Sequence, residues 1–259
     1  MNTAQAIVQM LCHQGIDCLF CLPGVQNDPF FDALYERQDT IQPIHARHEQ
    51  GTAYMALGAA LATGKPQAYC VVPGPGFLNS TAALSTAYAA NAKVLALVGQ
   101  IPSNTIGKGY GLLHEIPDQL GMLKSLTKWA TRIEHPNQAG PQTREAFRQM
   151  LSGRPCPVGL ECPMDLWTQA TSTELDTSPI TVDAPPIDDD AIREAARKLG
   201  QAANPLIVVG GGALDASEEV KALAELLQAP VVALRNGRGV LDNRHELSHT
   251  LPAGHVLWR

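Results

Sequence analysis

Gln67-Ala68-Tyr69-Cys70-Val71-Val72-Pro73-Gly74-Pro75-Gly76-Phe77-Leu78-Asn79 runs from an apolar, strand-length segment through a proline–glycine turn towards helix-forming residues. A strand delivered through a glycine turn into a helix is the repeating unit of a parallel α/β sheet. Working outward, residues 79–90 read as that helix and 93–99 as the next strand. Upstream, 49–63 read as a helix rich in Ala and Gly, after a strand at 41–44. Before that come a helix at 29–37, a strand at 17–22 and a helix at 3–14. Downstream, strands at 127–133 and 157–162 flank a helix at 142–151. The alternation predicts a doubly wound parallel sheet whose ligands bind in loops beyond the carboxyl ends of its strands.

The pattern changes at residue 168. Residues 168–189 lack apolar periodicity and are rich in Pro, Ser, Thr and Asp, which predicts a linker after a first domain at 1–167. An incomplete second α/β domain is expected at 190–259, with helices at 190–199 and 218–227 and strands at 206–209 and 230–234. Gly210-Gly211-Gly212 follows its first strand but lacks the G-x-G-x-x-G spacing, because position 215 is Asp.

Composition narrows the function classes. With a formal charge of −6 and no basic stripe, nucleic acid is a poor partner. The apolar runs are too short to cross a bilayer, and no charged region leads into an apolar one near Met1. A cytoplasmic protein without a membrane partner is the expectation. Cys18 and Cys21 have C-x-x-C spacing, yet they flank Leu-Phe and have no second pair at metal-ligand spacing. They read as buried free thiols, and no metal ligand is assigned.

Four stretches fall on the same rim of the expected sheet: Leu22-Pro23-Gly24-Val25, Arg47-His48-Glu49-Gln50-Gly51, Pro73-Gly74-Pro75-Gly76 leading to Asn79, and Gly99-Gln100-Ile101-Pro102. Glu49 stands at a strand-to-helix junction followed by small residues. Alone it would read as an exposed acid stabilising a helix amino terminus. Asn79 alone would read as a helix cap.

Taken in order from Gly15, Leu22-Pro23-Gly24, Asp32-Ala33-Leu34-Tyr35, His48-Glu49-Gln50-Gly51, Ala62-Thr63-Gly64-Lys65-Pro66, Gly74-Pro75-Gly76 with Asn79, Gly99-Gln100 and Ser152-Gly153-Arg154-Pro155 carry a resemblance. The chain is similar to the pyrimidine-binding domain of acetolactate synthases, which are thiamine-diphosphate-dependent enzymes. Residues 204–241 resemble the start of that family's middle domain. The resemblance implies that Glu49 hydrogen-bonds the cofactor's pyrimidine nitrogen, which calls for a positioned, partly desolvated carboxyl group. It implies that Pro23, Gly24, Pro75 and Asn79 line the cofactor, with Val25, Gln100, Leu113 and His114 on the substrate side. Val25 replaces a glycine common in the family. Leu113-His114-Glu115 replaces its Phe-Gln-Glu triplet, with two extra residues before it. His114 is either a proton shuttle, and so a second catalytic residue, or a solvated loop histidine.

The family binds the cofactor's diphosphate through Mg2+ with a Gly-Asp-Gly motif, which this sequence lacks. A missing diphosphate-binding domain is therefore expected as a partner, together with a second copy of the chain in a homodimer or tetramer. FAD is a possible middle-domain cofactor in the family. The implied activity is carboligation or decarboxylation of a 2-keto acid substrate, aromatic or branched substrates included. The rival reading is a non-catalytic assembly or regulatory homologue, against which the retained Glu49 argues.

Overall fold

The computed structural model describes residues 1–182, 184–250, 252, 254 and 255, which divide into two compact units, Met1–Ala184 and Pro185–Arg259. In the first unit the elements follow in the order α1 (Thr3–His13), β1 (Cys18–Cys21), α2 (Asp28–Tyr35), β2 (Gln42–His45), α3 (Glu49–Thr63), β3 (Gln67–Val71) and α4 (Pro75–Ala89). They continue with β4 (Val94–Gln100), α5 (Gln119–Leu126), β5 (Trp129–Arg132), α6 (Ala139–Leu151) and β6 (Val158–Pro163). The six strands form one parallel sheet in the order β2-β1-β3-β4-β6-β5.

The central strands β3, β4 and β6 are buried throughout, as expected where helices cover both faces of a parallel sheet. Strand alternation sends Ala68, Cys70, Leu95 and Leu97 into one core layer with α1, α2 and α6. Tyr69, Val71, Ala96 and Val98 enter the other layer, against α3, α4 and α5. Fully buried side chains such as Phe77, Phe147 and Leu84 each contribute roughly 1.5–3 kcal/mol of transfer free energy. β2 is an exposed edge, and Pro43 within it suits a strand paired on one side only.

Three features depart from the sequence expectation. α4 begins at Pro75, not at 79, with Gly74 as its cap, because proline at the first helical turn loses no hydrogen bond. Asn79 is therefore not a cap and projects from the body of the helix. α5 was not anticipated: it is eight residues long, contains Gly121, and is held by Asp118, whose side chain accepts from the Gly121 N–H at 2.8 Å. The third departure is the segment expected to link the units, which is docked on the first of them up to residue 184. Asn2 bridges to Ala170, Leu175 and Ile180 pack on the core, and Arg144 of α6 pairs with Asp176 at 3.0 Å.

The second unit holds α7 (Asp189–Gln201), β7 (Ile207–Val209), α8 (Ser217–Leu227), β8 (Val231–Ala233) and β9 (Ser248–His249). Its parallel sheet has the order β7-β8-β9. Val209, Ala224, Val231, Val240 and Leu241 form its core. Two residues long, β9 was too short to read from sequence; the carboxyl-terminal Trp258 and Arg259 lie outside the described residues.

Candidate active site

Because all six strands of the first unit run parallel, the loops after β1, β2, β3 and β4 share one end of the sheet. Glu49 is the half-buried first residue of α3. His48 caps that helix, its Nδ1 accepting the Gln50 N–H at 3.1 Å. α4 lies beside α3, and Asn79 Nδ2 donates to Glu49 Oε2 at 3.0 Å. Among the described residues, Glu49 Oε1 has no protein donor. The carboxylate is thus held by one oxygen with the other available.

The glycines next to it are there for space. A Cβ at Gly76 would sit 2.6 Å from Val72 Cγ2 and 3.6 Å from Glu49 Oε1, and one at Gly24 would sit 2.6 Å from Val72 Cγ1. Val72 is therefore wedged between the loops after β1 and β3, a role that an apolar residue at a strand end does not advertise in sequence. Pro75 is exposed in the first turn of α4. Pro23 lines an apolar crevice of about 280 Å³ with Phe31, Leu34, Tyr35 and Pro43.

The loop before α5 folds onto this rim. His114 adopts φ 71°, and a Cβ at Gly74 would meet its backbone oxygen at 2.5 Å. Its Nδ1 is buried without a partner among the described residues. Glu115 closes the loop, accepting from the Gly109 N–H at 3.0 Å and the Leu112 N–H at 2.9 Å. Leu113 is 76% exposed and Val25 68% exposed, so both present apolar surface to solvent.

Gln100 stands apart from the other candidates. It is buried, with Nε2 donating to Glu161 Oε1 at 2.9 Å and Oε1 accepting the Ile101 N–H at 2.8 Å. Glu161 also accepts from Arg132 Nε at 2.6 Å. The Gln100 amide is therefore engaged inside the sheet, donating to a buried carboxylate and accepting from a main-chain N–H. Gln119 and Asn27, neither singled out in sequence, are also buried at this end. Asn27 Nδ2 donates to the Val71 carbonyl at 2.9 Å, tying the β1 loop to β3.

The cysteines are all free. Burial pushes the Cys21 thiol up to about 11, with the neighbouring Cys18 adding to the rise. Burial also raises Cys18, Cys70 and Cys162, so these thiols stay protonated and unreactive near neutrality. No described group of three or more His, Cys, Asp or Glu could hold a metal ion, and no described helix is long and apolar enough to cross a membrane.

A family model described as "Thiamine pyrophosphate enzyme, N-terminal TPP binding domain" matches residues 1–122, and its "central domain" counterpart matches residues 192–256. The chain belongs to the thiamine pyrophosphate enzyme family. A probable 2-ketoarginine decarboxylase of Pseudomonas aeruginosa is 34% identical, the match covering 93% of this chain and 43% of that protein. The acetolactate synthase isozyme 1 large subunit of Escherichia coli is 33% identical over 95% of this chain and 43% of its own length. The chain thus spans less than half the length of these relatives. A solved structure, the thiamine diphosphate-dependent 4-hydroxybenzoylformate decarboxylase of Rhodococcus jostii, shares the fold. Its TM-score is 0.85 at 23% identity, over 96% of this chain and 47% of that one.

Proposed function

We propose that this chain is the amino-terminal part of an enzyme that uses thiamine diphosphate to decarboxylate or join 2-keto acids, with Glu49 as the group that activates the cofactor. The observation that carries the reading is the Glu49 carboxylate, gripped at Oε2 by Asn79 and open at Oε1 beside Gly76. A flat heteroaromatic ring with a protonated nitrogen fits that opening, since one acceptor is aimed and the neighbouring position carries no side chain. When bound, thiamine diphosphate supplies a carbon nucleophile for the keto carbon and an electron sink for decarboxylation. Glu49 holds a proton at the ring nitrogen, and Asn79 fixes the carboxylate's orientation. Gly76 keeps the approach clear, and Pro75 borders it. Pro23 and Gly24 contribute the neighbouring β1 loop.

Val25 and Leu113 offer exposed apolar surface for the substrate's side chain, and the half-buried His114 borders them with its Nδ1 turned into the protein. The complete protein should release CO2 from a 2-keto acid only when thiamine diphosphate is present. A panel from pyruvate to aryl and guanidino 2-keto acids that released none would overturn the reading. In the same assay His114→Ala should change turnover or preference about tenfold, equivalent to about 1.4 kcal/mol of lost substrate contact. Proton exchange on the cofactor should stay near wild type; equal losses in both would make the loop structural.

Mg2+ and the diphosphate belong in this proposal to a domain outside these 259 residues. The 259-residue chain alone should then bind thiamine diphosphate only in the millimolar range, equivalent to about 4 kcal/mol. Titration calorimetry with Mg2+ present checks this, and micromolar binding would mean that the chain holds its own phosphate site. A flavin forms no part of the proposal: Gly211 opens a short 3-10 helix, Gly211–Ala216, after β7 and lies close to Asn236.

A second copy of the chain is the proposed partner. α3 and α4 carry Glu49 as their sole charged residue, while Tyr54, Leu61, Leu78 and Tyr88 are exposed on them. An uncharged face of this kind favours a symmetric contact. Sedimentation at tens of micromolar should show dimer, and monomer alone would count against this face.

A further inference from the structure

We infer that Gln119 is a positioning residue for the Glu49 site, coupling it to the His114 loop; this rests on the reading of Glu49 as the activating carboxylate. Gln119 is the first residue of α5 and is 1% exposed. Its Oε1 accepts the Gly74 N–H at 2.8 Å, and its Nε2 donates to the Gly99 carbonyl at 2.9 Å. One amide thereby joins the carboxyl end of β4 to the first residue before α4. Gly74 sits at φ 56° and ψ −119°, a conformation open to glycine, and its N–H is buried. Without an acceptor the turn would carry an unsatisfied donor and would relax.

The Gly74 turn leads directly into the site. Gly76 opens the space at Glu49 Oε1, and Asn79 holds Oε2. On the other side, the His114 backbone is packed on Gly74, five residues ahead of Gln119 in the chain. The two hydrogen bonds need an acceptor and a donor on one side chain, which an ionised carboxylate cannot supply and a thioether does not supply at all. A protonated carboxyl group does supply both.

Two substitutions test the assignment, Gln119→Met and Gln119→Glu. Amide hydrogen exchange on this chain without cofactor should show Gly74 exchanging about tenfold faster in Gln119→Met, the scale of one lost buried hydrogen bond. β3 amides should remain protected, which separates local release from general destabilisation. In the complete enzyme, proton–deuterium exchange at the cofactor's reactive carbon should be slow in Gln119→Met at every pH. Measured relative to wild type, Gln119→Glu should recover as pH falls, because protonation restores the donor to Gly99. Wild-type protection of Gly74 in Gln119→Met, or Glu and Met variants equally slow at every pH, overturns the inference. The reading of Glu49 fails separately, if Glu49→Gln leaves cofactor exchange unchanged.

Discussion

Replacing Glu49 with Gln in the complete enzyme is expected to slow proton–deuterium exchange at the cofactor's reactive carbon by at least about a hundredfold. That is the usual lower scale for losing a positioned acid–base group. The substitution keeps the side chain's length, and the Gln carbonyl can still accept from Asn79 Nδ2, so α3 and α4 should stay in place. What disappears is the charged acceptor at Oε1. The amide that replaces it cannot exchange a proton with a ring nitrogen near neutral pH. Circular dichroism and thermal midpoint close to wild type, combined with the lost exchange, would locate the effect at the carboxylate. An exchange rate equal to wild type would remove Glu49 from the mechanism.

The second large effect is expected at Gly74, where Gly74→Ala should destabilise the first unit by about 2–4 kcal/mol. A non-glycine residue at such a conformation costs about 1–3 kcal/mol by itself. Here the added Cβ would also lie 2.5 Å from the His114 backbone oxygen, which cannot swing aside as a flexible side chain would. For a unit of this size the midpoint of thermal unfolding should fall by roughly 5–15 °C. Gly58→Ala is the natural control: it lies within α3 with nothing within 4 Å of the added Cβ, and should be neutral or slightly stabilising. Equal behaviour of the two variants would mean that the Gly74 turn is not a constrained point of the fold.

Most of the frame was legible in the residues. α3 was read at its observed bounds from its run of Ala and Gly after the junction at Glu49; in the structure His48 caps it and Gly64 ends it in a left-handed conformation. β3 and β4 were read because strands buried on both faces are continuous apolar runs. Glu49 and Asn79 were singled out by resemblance, and the structure puts them 3.0 Å apart. The start of α4 was misread because Gly74-Pro75-Gly76 looks like a turn, whereas proline there already belongs to the helix.

Local signals, which reach only a few residues along the chain, were enough to determine the alternation of strands and helices, the rim on which Glu49 lies and the glycines beside it. The fate of the polar side chains depended on partners far away in sequence. Gln100 and Gln119 are the same residue type at the same end of the sheet, but Gln100 holds Glu161 and Gln119 bridges Gly74 to Gly99. Residues 168–182 have a linker's composition, yet Arg144 and the apolar Leu175 and Ile180 hold them to the first unit. A buried amide must satisfy both donor and acceptor wherever the fold leaves it, and a polar strap stays down when a few anchors find a core. Those partners exist only once the sheet has brought distant loops together, which is why tertiary structure alone decided them.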